Sequence, residues 1–377
     1  MSRLRVLVAE DSATIRGRLC EIIAADSDLE VVGEAENGKR AIELCEALKP
    51  DVITLDMVMP VMSGLTATEY IMAYVPTPIL IVSASTNRGE LFKTYDALAA
   101  GAVDVLEKPG AEDVDGVWER RFLAALKLTA RIKVITHPRA RLSGRDWSKP
   151  DSGPLASASS PGHGAGSEAR GAAVSPGRGR SPVPGTRVLA FGASTGGPAA
   201  IVKVLRGLPV PLPVPALLVL HIDEPFSSAF AEWLDSQTPH PVNYARDGDR
   251  IETLTGRIGM GPPGKHLTVS GGRIRLTLDP PRHSCRPSVD TLFESLAEDC
   301  GGRVTACLLT GMGRDGAAGL LAIRRAGGTT VAQDEASSVV YGMPREAVLL
   351  GAAQAVLPLE QIGPDIGLWL ARGAGPP

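Results

Sequence analysis

The chain has 377 residues, of which 44% are hydrophobic and 21% charged, and its formal net charge is −3. This length exceeds one ordinary domain and allows two hydrophobic cores, and the composition is typical of a globular protein. The small net charge and the aromatic fraction of 4% argue against a DNA-binding face and against stacking platforms for single-stranded nucleic acid.

The first part of the chain, residues 1–133, alternates short β-branched runs with amphipathic helical patterns, which is typical of parallel α/β sheets. In chain order, the predicted strands and helices are Leu4–Ala9, Ala13–Ala25, Leu29–Gly33, Gly38–Leu48, Val52–Leu55, Ile79–Val82, Glu90–Ala100 and Val103–Leu106. This alternation predicts a small, doubly wound, flavodoxin-like domain whose site lies at the carboxyl ends of the strands.

The next stretch, residues 134–185, is predicted to be a flexible linker. Its larger part, from Asp151 to Gly185, is rich in Gly, Pro, Ser and Ala and cannot bury enough apolar surface to become ordered. Beyond it the α/β pattern resumes, with predicted strands at Val188–Phe191, Ala216–Leu220 and Ala306–Thr310 and a β-rich stretch at Gly256–Leu278. The predicted fold class is therefore α/β, with two doubly wound, mostly parallel-sheet domains. The second domain, residues 186–372, is expected to be Rossmann-like.

Polar side chains follow the predicted strands of the first domain. Glu10 and Asp11 follow the first strand and Asp56 ends the third, so we expect three carboxylates in one crevice. Like charges at that distance are costly without a divalent cation, and an oxygen-only ligand set suits Mg²⁺. Ser83 and Lys108, at the next two strand ends, are suited to hold phosphoryl oxygens while Asp56 attacks as a nucleophile. Any one of these acids alone would more often be a strand-end cap.

Two motifs give the first domain a family resemblance. Asp56–Pro60 and Glu107–Pro109 resemble the phosphoacceptor and lysine-proline motifs of response-regulator receiver domains. The resemblance implies that Asp56 is phosphorylated by a histidine kinase. Val105 stands where receivers often carry an aromatic residue, and Ser63 stands where an acidic residue is common, but neither change touches the phosphorylation chemistry.

A glycine-rich turn, Gly192–Gly197, follows the strand Val188–Phe191 and fits G-x-S-x-G, in which a tight strand-to-helix turn exposes Ser194. Such turns also cradle phosphates or simply pack closely, but this one lacks the middle glycine of the dinucleotide fingerprint and a Walker lysine. A nucleophilic serine needs a base, and His221 ends a predicted strand at the same sheet edge. The remaining histidines fall in loops or the linker: His137, His163, His240, His266 and His283.

The acid that would orient the base has several candidates, which are Asp223, Glu224, Asp247, Asp249, Asp290 and Asp315. Asp315 lies in Thr310–Gly316, just after a predicted buried strand, where it either caps the next helix or faces the site. Its place at the carboxyl edge of the sheet favours it. The resulting chain order of Ser, His and Asp is acceptable because a triad is defined by geometry.

The second domain resembles the catalytic domain of the chemotaxis protein-glutamate methylesterases, and the order of receiver, linker and esterase matches that family. The matching stretches are Gly192–Gly197, Cys285–Asp290, Thr310–Gly316 and Gln333–Pro344. The resemblance implies hydrolysis of glutamyl methyl esters on chemoreceptors with release of methanol, and in some members deamidation of glutamine. It also implies that an unphosphorylated receiver covers the esterase cleft.

By the same resemblance, Ser194, His221 and Asp315 form the triad, and the backbone N–H groups of Thr195 and Met312 stabilise the oxyanion. No cofactor is expected for the esterase. The chain departs from the family after the histidine, where two acids, Asp223 and Glu224, replace residues that are usually neutral. We expect these acids to raise the pKa of His221 and to shift the pH optimum upward.

The cysteines and the chain start predict the compartment. The five cysteines form no C-x-x-C pair, so we interpret them as small core hydrophobes in a reducing compartment: Cys20, Cys45, Cys285, Cys300 and Cys307. The start of the chain runs into a strand without a signal peptide, and no apolar run is long enough to span a membrane. We therefore expect a cytoplasmic protein with a histidine kinase and methyl-accepting chemoreceptors as partners, without nucleic acid or membrane insertion.

A second class of function remains open at this point. The second domain could be a non-catalytic output that binds receptors and drains phosphate from the kinase. Such a protein would need Asp56 but would be indifferent to Ser194. A DNA-binding output is disfavoured, because the second domain has neither a helix-turn-helix pattern nor a basic face.

Overall fold

The computed structural model describes residues 3–84, 87–109, 116–132, 134, 187–222 and 224–373. Apart from Val134, the predicted linker lies outside these residues. None of the helices within the described ranges is both long and apolar enough to span a membrane.

The first half of the chain forms a five-stranded sheet with strand order β2-β1-β3-β4-β5, and all four neighbouring pairs are parallel. Its elements are β1 Leu4–Ala9, α1 Ala13–Ala24, β2 Leu29–Ala35, α2 Gly38–Leu48, β3 Val52–Leu55, α3 Gly64–Tyr74, β4 Ile79–Ser83, α4 Arg88–Ala99, β5 Asp104–Glu107 and α5 Val117–Thr129. This is the flavodoxin-type order, so the prediction of a doubly wound domain is confirmed.

Local sequence explains why these elements form. The strands read as continuous apolar runs, for example Val6 to Val8, because helices cover both faces of the sheet and leave these side chains fully buried. Four of the helices begin where a short polar side chain accepts a hydrogen bond from the first turn, at Ser12, Asn37, Ser63 and Asn87.

The second half forms a seven-stranded sheet with strand order β14-β13-β12-β6-β7-β9-β8, and all its neighbouring pairs are parallel. Its first elements are β6 Val188–Ala193, α6 Gly197–Arg206, β7 Ala216–Leu220, α7 Glu224–Ser227, α8 Phe230–Gln237, β8 Val242–Tyr244 and β9 Ile258–Met260. The chain returns through β12 Val304–Leu308, α10 Ala317–Arg325, β13 Thr329–Gln333, α11 Met343–Leu349, β14 Ala355–Leu357 and α12 Leu359–Arg372.

Between β9 and β12 lie an antiparallel hairpin and a long helix, which are β10 His266–Ser270, β11 Arg273–Thr277 and α9 Val289–Cys300. The hairpin accounts for the β-rich stretch predicted from sequence. The large sheet places β6 between β7 and β12, because the chain first builds outward from β6 on one side and later returns on the other. The carboxyl ends at such a reversal form a crevice where α/β proteins bind ligands.

The two domains touch through helix α4, at a surface that we call the docking interface. Tyr95 of α4 is fully buried, packs edge-on against Phe230 at 5.2 Å between ring centroids, and contacts Trp233 at 5.5 Å. Its hydroxyl donates a 2.6 Å hydrogen bond to the Phe226 carbonyl, and Trp233 Nε1 donates to Asp96 Oδ1 at 2.8 Å. The first domain is thereby attached to the segment that follows β7.

Candidate functional site

The carboxylates predicted in the first domain lie together. Glu10, Asp11 and Asp56 each offer one oxygen within 4.8 Å of the others, because β1 and β3 are neighbours in the sheet. Lys108 Nζ lies 2.8 Å from Glu10 Oε2 and 3.0 Å from Asp56 Oδ2. Ser83 is buried at the end of β4, the strand between those that lead to Asp56 and Lys108.

Electrostatics show that this cluster suits a divalent cation. Burial raises the pKa of Asp56, and the charge and hydrogen bond of Lys108 only partly oppose this. Burial also raises the pKa of Glu10, where Lys108 lowers it and the neighbouring Asp56 charge raises it further. Asp11 is exposed, so the cluster is open to solvent on one side. An oxygen-only set with an excess of negative charge and an open face fits Mg²⁺.

In the second domain, Ser194 sits in the turn between β6 and α6. Its backbone N–H donates to the Thr310 carbonyl at 3.0 Å, which connects the turn to the loop after β12. Gly196 has a left-handed φ of 75°, and a Cβ there would lie 2.6 Å from Val339 Cβ. A Cβ on Gly311 would lie 2.7 Å from Ser194 Cβ. Both glycines are therefore required for the close approach that presents the serine.

His221 directly follows β7, and its backbone N–H donates to the Ala193 carbonyl at 3.0 Å. Its ring Nε2 lies 2.9 Å from Asp315 Oδ2. Because an ionised carboxylate only accepts hydrogen bonds, Nε2 carries the proton and Nδ1 is the nitrogen left to act as a base. Nδ1 lies 3.6 Å from Cys285 Sγ.

Asp315 lies in the loop before α10 and is 2% exposed. Its carboxylate accepts hydrogen bonds from Ser288 Oγ at 2.7 Å and from the backbone N–H groups of Val289 at 2.7 Å and Asp290 at 3.0 Å. Burial would favour the neutral acid, but the hydrogen bond and charge of His221, with these donors, hold the pKa of Asp315 below its usual value. The amino-terminal end of α9 thus stabilises the ionised form.

The same contacts set the charge of the histidine. Burial alone would lower the pKa of His221, but the hydrogen bond to Asp315 and the contact with Cys285 raise it to about 9. In this arrangement the imidazole is protonated at neutral pH. Asp223 and the side chain of Glu224 lie outside the described part of the structure, so their predicted effect on His221 stays a prediction.

Ser194 and His221 share a cavity of about 550 Å³, whose walls come from both domains. The second domain also contributes Cys285, and the first contributes Leu98 and Val105. Val105, at the position where receivers often carry an aromatic residue, is therefore part of the cavity wall. Within the described ranges, no hydrogen bond joins the Ser194 hydroxyl to His221.

The predicted oxyanion donors lie at the same cavity, which Thr195 and Met312 both line. Thr195 follows the serine, and Met312 is in the loop after β12, with half of its side chain exposed. Among the hydrogen bonds of the residues that the structure describes, neither backbone N–H is a donor. Both N–H groups are therefore available to a ligand.

Known protein families match both halves of the chain. The CheB methylesterase family model matches residues 189–366, and the response regulator receiver domain model matches residues 6–114. A protein-glutamate methylesterase/protein-glutamine glutaminase of Anaeromyxobacter dehalogenans is 41% identical over 359 residues, which cover 95% of each chain. The chain belongs to the protein-glutamate methylesterase family.

The chain is also similar to two further proteins. A protein-glutamate methylesterase/protein-glutamine glutaminase of Pseudomonas aeruginosa is 43% identical over 378 residues, which cover 99% of each chain. The crystal structure of the Thermotoga maritima CheB methylesterase catalytic domain is 32% identical, covers 49% of this chain and 99% of that chain, and has a TM-score of 0.46.

Among the described residues, several candidate side chains from the sequence form hydrogen bonds with neither Ser194 nor His221. Asp247 Oδ1 accepts a hydrogen bond from the Leu276 N–H in the hairpin. His240 and His266 are buried, and each contacts a backbone carbonyl through its ring. Asp290 is buried and contacts His283 at 3.1 Å instead of His221.

One interpretation from the sequence is wrong. We expected all cysteines to be small core residues, and Cys45, Cys300 and Cys307 are buried as expected. Cys20 and Cys285 are only half-buried, and Cys285 lines the methylesterase cavity. Its position follows from the turn at Arg282–Cys285, whose two backbone hydrogen bonds direct the chain back toward His221, and this turn has no clear sequence signal.

Proposed function

We propose that residues 186–372 are a serine esterase domain in which Ser194, His221 and Asp315 form the catalytic triad. Residues 1–133 are the receiver that controls it, and residues 134–185 are the linker. The substrate is a glutamate methyl ester on a chemoreceptor, and the products are a receptor carboxylate and methanol. The observation that carries the proposal is that His221, paired with the buried Asp315, shares one cavity with Ser194.

The reaction has two steps. In the first, His221 Nδ1 takes the proton of Ser194 as its oxygen attacks the ester carbonyl, while Asp315 holds the Nε2 proton. The N–H groups of Thr195 and Met312 stabilise the oxyanion, and methanol leaves with the proton from His221. In the second step, water attacks the acyl-enzyme, gives a proton to His221 and releases the glutamate carboxylate and the serine.

These residues supply the nucleophile, the base and the electrostatic stabilisation, so the esterase reaction needs no cofactor. The same attack on a glutamine side-chain amide would release ammonia, and the curated relatives carry both activities in their names. We therefore include glutamine deamidation of chemoreceptors as a second reaction of the same site.

The receiver controls this chemistry through Asp56, which accepts a phosphoryl group from a histidine kinase of a chemosensory array. Glu10, Asp11 and Asp56 would hold Mg²⁺, which when bound neutralises charge on the phosphoryl oxygens. Ser83 and Lys108 contact the phosphoryl group after transfer. Both partners, the kinase and the receptor helices, are reached from the cytoplasm, without nucleic acid or membrane insertion.

The test is methanol release from methylated chemoreceptor, with and without a small-molecule phosphodonor and Mg²⁺. We expect slow release from the unphosphorylated protein and faster release when Asp56 is phosphorylated. If the phosphorylated wild-type protein releases neither methanol nor ammonia, the protein is instead a receptor-binding phosphate sink.

Loosening the docking interface should activate the enzyme without phosphorylation. Tyr95→Ala removes the buried ring and its hydrogen bond to Phe226, which costs about 2 kcal/mol or more at an interface. Because first-domain residues wall the cavity, we expect the basal rate of methanol release to rise by about 10-fold or more. The stimulation by phosphodonor should shrink in proportion.

The matched control is Tyr74→Ala, which removes an exposed tyrosine from helix α3 of the same domain. Its basal rate should equal that of the wild type. Phosphorylation of Asp56 in both variants reports that the receiver remains folded. An unchanged basal rate in a Tyr95→Ala protein that still accepts phosphate would show that docking does not restrain the esterase.

The pKa of His221 predicts the pH profile. The base must be neutral to accept the Ser194 proton, and below its pKa of about 9 the neutral fraction falls about tenfold per pH unit. We therefore expect kcat/KM of the unphosphorylated enzyme to rise with pH and to level off above about 9. Cys285→Ser should move this rise to lower pH, because the thiol contact is one cause of the raised pKa. If kcat/KM is already independent of pH from pH 6.5 upward, His221 is not a general base with a raised pKa.

The same assay tests the two acids that follow the histidine. If Asp223 and Glu224 contribute to the raised pKa of His221, neutralising both to Asn and Gln lowers the pH at which kcat/KM levels off. If only Asp315 and Cys285 raise the pKa of His221, the double variant should show the same dependence of kcat/KM on pH as the wild type.

A further inference from the structure

The cavity holds a thiol that the esterase reaction does not use. Cys285 Sγ lies 3.6 Å from His221 Nδ1, the nitrogen that serves as the base in the proposed function. Thiolate and imidazole are the two ligand types that Zn²⁺ prefers in proteins. We propose that Cys285 and His221 form an inhibitory Zn²⁺ site, an inference that rests on the proposed function.

The distance between the two atoms fits a shared metal ion. Zinc binds cysteine sulfur at about 2.3 Å and histidine nitrogen at about 2.0 Å, usually with tetrahedral geometry. Two such ligands at a tetrahedral angle are about 3.5 Å apart. The observed 3.6 Å between Sγ and Nδ1 therefore allows both atoms to bind one ion without a change of backbone.

The surroundings of the histidine are also those of a zinc ligand. A histidine bound to zinc usually donates its other ring N–H to a carboxylate, which fixes its orientation. Here Nε2 is bonded to Asp315, and three donors around Ser288 hold that carboxylate in turn. The sulfur, the imidazole and the carboxylate all have ligand atoms within 4.8 Å of one another.

Binding would displace two protons at neutral pH, one from the Cys285 thiol and one from the protonated His221 ring. In the structure the Cys285 thiol donates to the His283 carbonyl at 3.4 Å. When Zn²⁺ binds, the S–H proton and the Nδ1 proton both pass to water, the thiolate sulfur bonds to the metal and Nδ1 contributes the lone pair so freed, while Nε2 keeps its proton toward Asp315. The two remaining coordination positions face the cavity, where water or the carboxylate product can occupy them.

The consequence is inhibition of the esterase. A metal on Nδ1 occupies the lone pair that must accept the Ser194 proton, so the nucleophile cannot be activated. The Mg²⁺ of the receiver does not compete, because Mg²⁺ prefers carboxylate oxygen and the Cys285–His221 pair offers sulfur and nitrogen. Mg²⁺ bound at the receiver thus leaves the Cys285–His221 pair available to Zn²⁺.

The experiment measures methanol release by the full chain in excess Mg²⁺ while Zn²⁺ is titrated and then removed with a chelator. We expect a reversible loss of rate of about 10-fold or more. Cys285→Ser should need at least about 10-fold more Zn²⁺ for the same fractional inhibition. Cys20→Ser, which removes the equally half-buried thiol of the first domain, should match the wild type.

A spectroscopic readout separates metal binding from catalysis. Co²⁺ bound to the Ser194→Ala protein should give a thiolate-to-cobalt absorption band that is lost when Cys285 is also replaced with serine. If the band is present but the phosphorylated wild-type protein releases no methanol, the metal site stands and the proposed function is rejected. A wild-type protein that hydrolyses ester, shows no such band and is inhibited equally with and without Cys285 would overturn the metal site.

Discussion

Ser194→Ala is expected to lower methanol release from methylated receptor by at least about 10⁴-fold, because the variant has no oxygen to attack the ester carbonyl. The residual rate would come from the oxyanion donors and from substrate binding alone. The loss should appear in kcat, since the alanine leaves the cavity and its lining intact. Phosphorylation of Asp56 should proceed as in the wild type, which reports that the chain is folded.

The control for this variant is Ser270→Ala, which removes an exposed hydroxyl at the end of β10. It should retain the wild-type rate. If Ser194→Ala instead retains activity within about tenfold of the wild type, Ser194 is not the nucleophile, because removal of a covalent nucleophile costs far more.

Asp315→Asn is expected to lower kcat by about 10³-fold or more. An amide can donate to Nε2, which would move the proton to Nδ1 and remove the base from its task. The substitution also removes the negative charge that stabilises the imidazolium. The pKa of His221 should therefore fall from about 9, and the residual activity should level off at a lower pH.

Asp247→Asn provides the matched control. Asp247 was another candidate for the orienting acid, but its carboxylate accepts from the Leu276 N–H in the hairpin. We expect wild-type kinetics and an unshifted pH profile from this variant. Equal losses from both substitutions would show that the effect of Asp315→Asn comes from general destabilisation and not from the orientation of His221.

Much of the fold was predictable because the buried strands are unbroken apolar runs. The predicted strands agree with the observed ones to within two residues at each end in both sheets. The catalytic candidates followed from the same reasoning, since polar residues directly after buried strands of a parallel sheet must lie at one edge. Ser194 and His221 follow neighbouring strands, and Asp315 lies in the loop after the strand on the other side of β6.

The rest depended on contacts that no local pattern encodes. Cys285 and His283 belong to a loop whose course is set by backbone hydrogen bonds and by the buried Asp290, so their place beside the cavity was missed. The docking interface joins Tyr95 to Trp233, which lie 138 positions apart and on different domains. An aromatic residue on an amphipathic helix predicts burial but does not identify its partner.

The order of strands in the large sheet has a consequence for synthesis. The chain makes β6 and β7 early, but β12, which must pair with β6 on its other side, follows more than eighty residues after β7. A nascent chain that has not reached Asp315 therefore presents Ser194 and His221 without the carboxylate that orients the imidazole. Under the proposed function, hydrolytic activity is therefore expected only once the chain has been synthesised through Asp315. Under the proposed function, a chain that ends before Asp315 is therefore expected to release methanol from receptors only very slowly, whatever the state of its receiver.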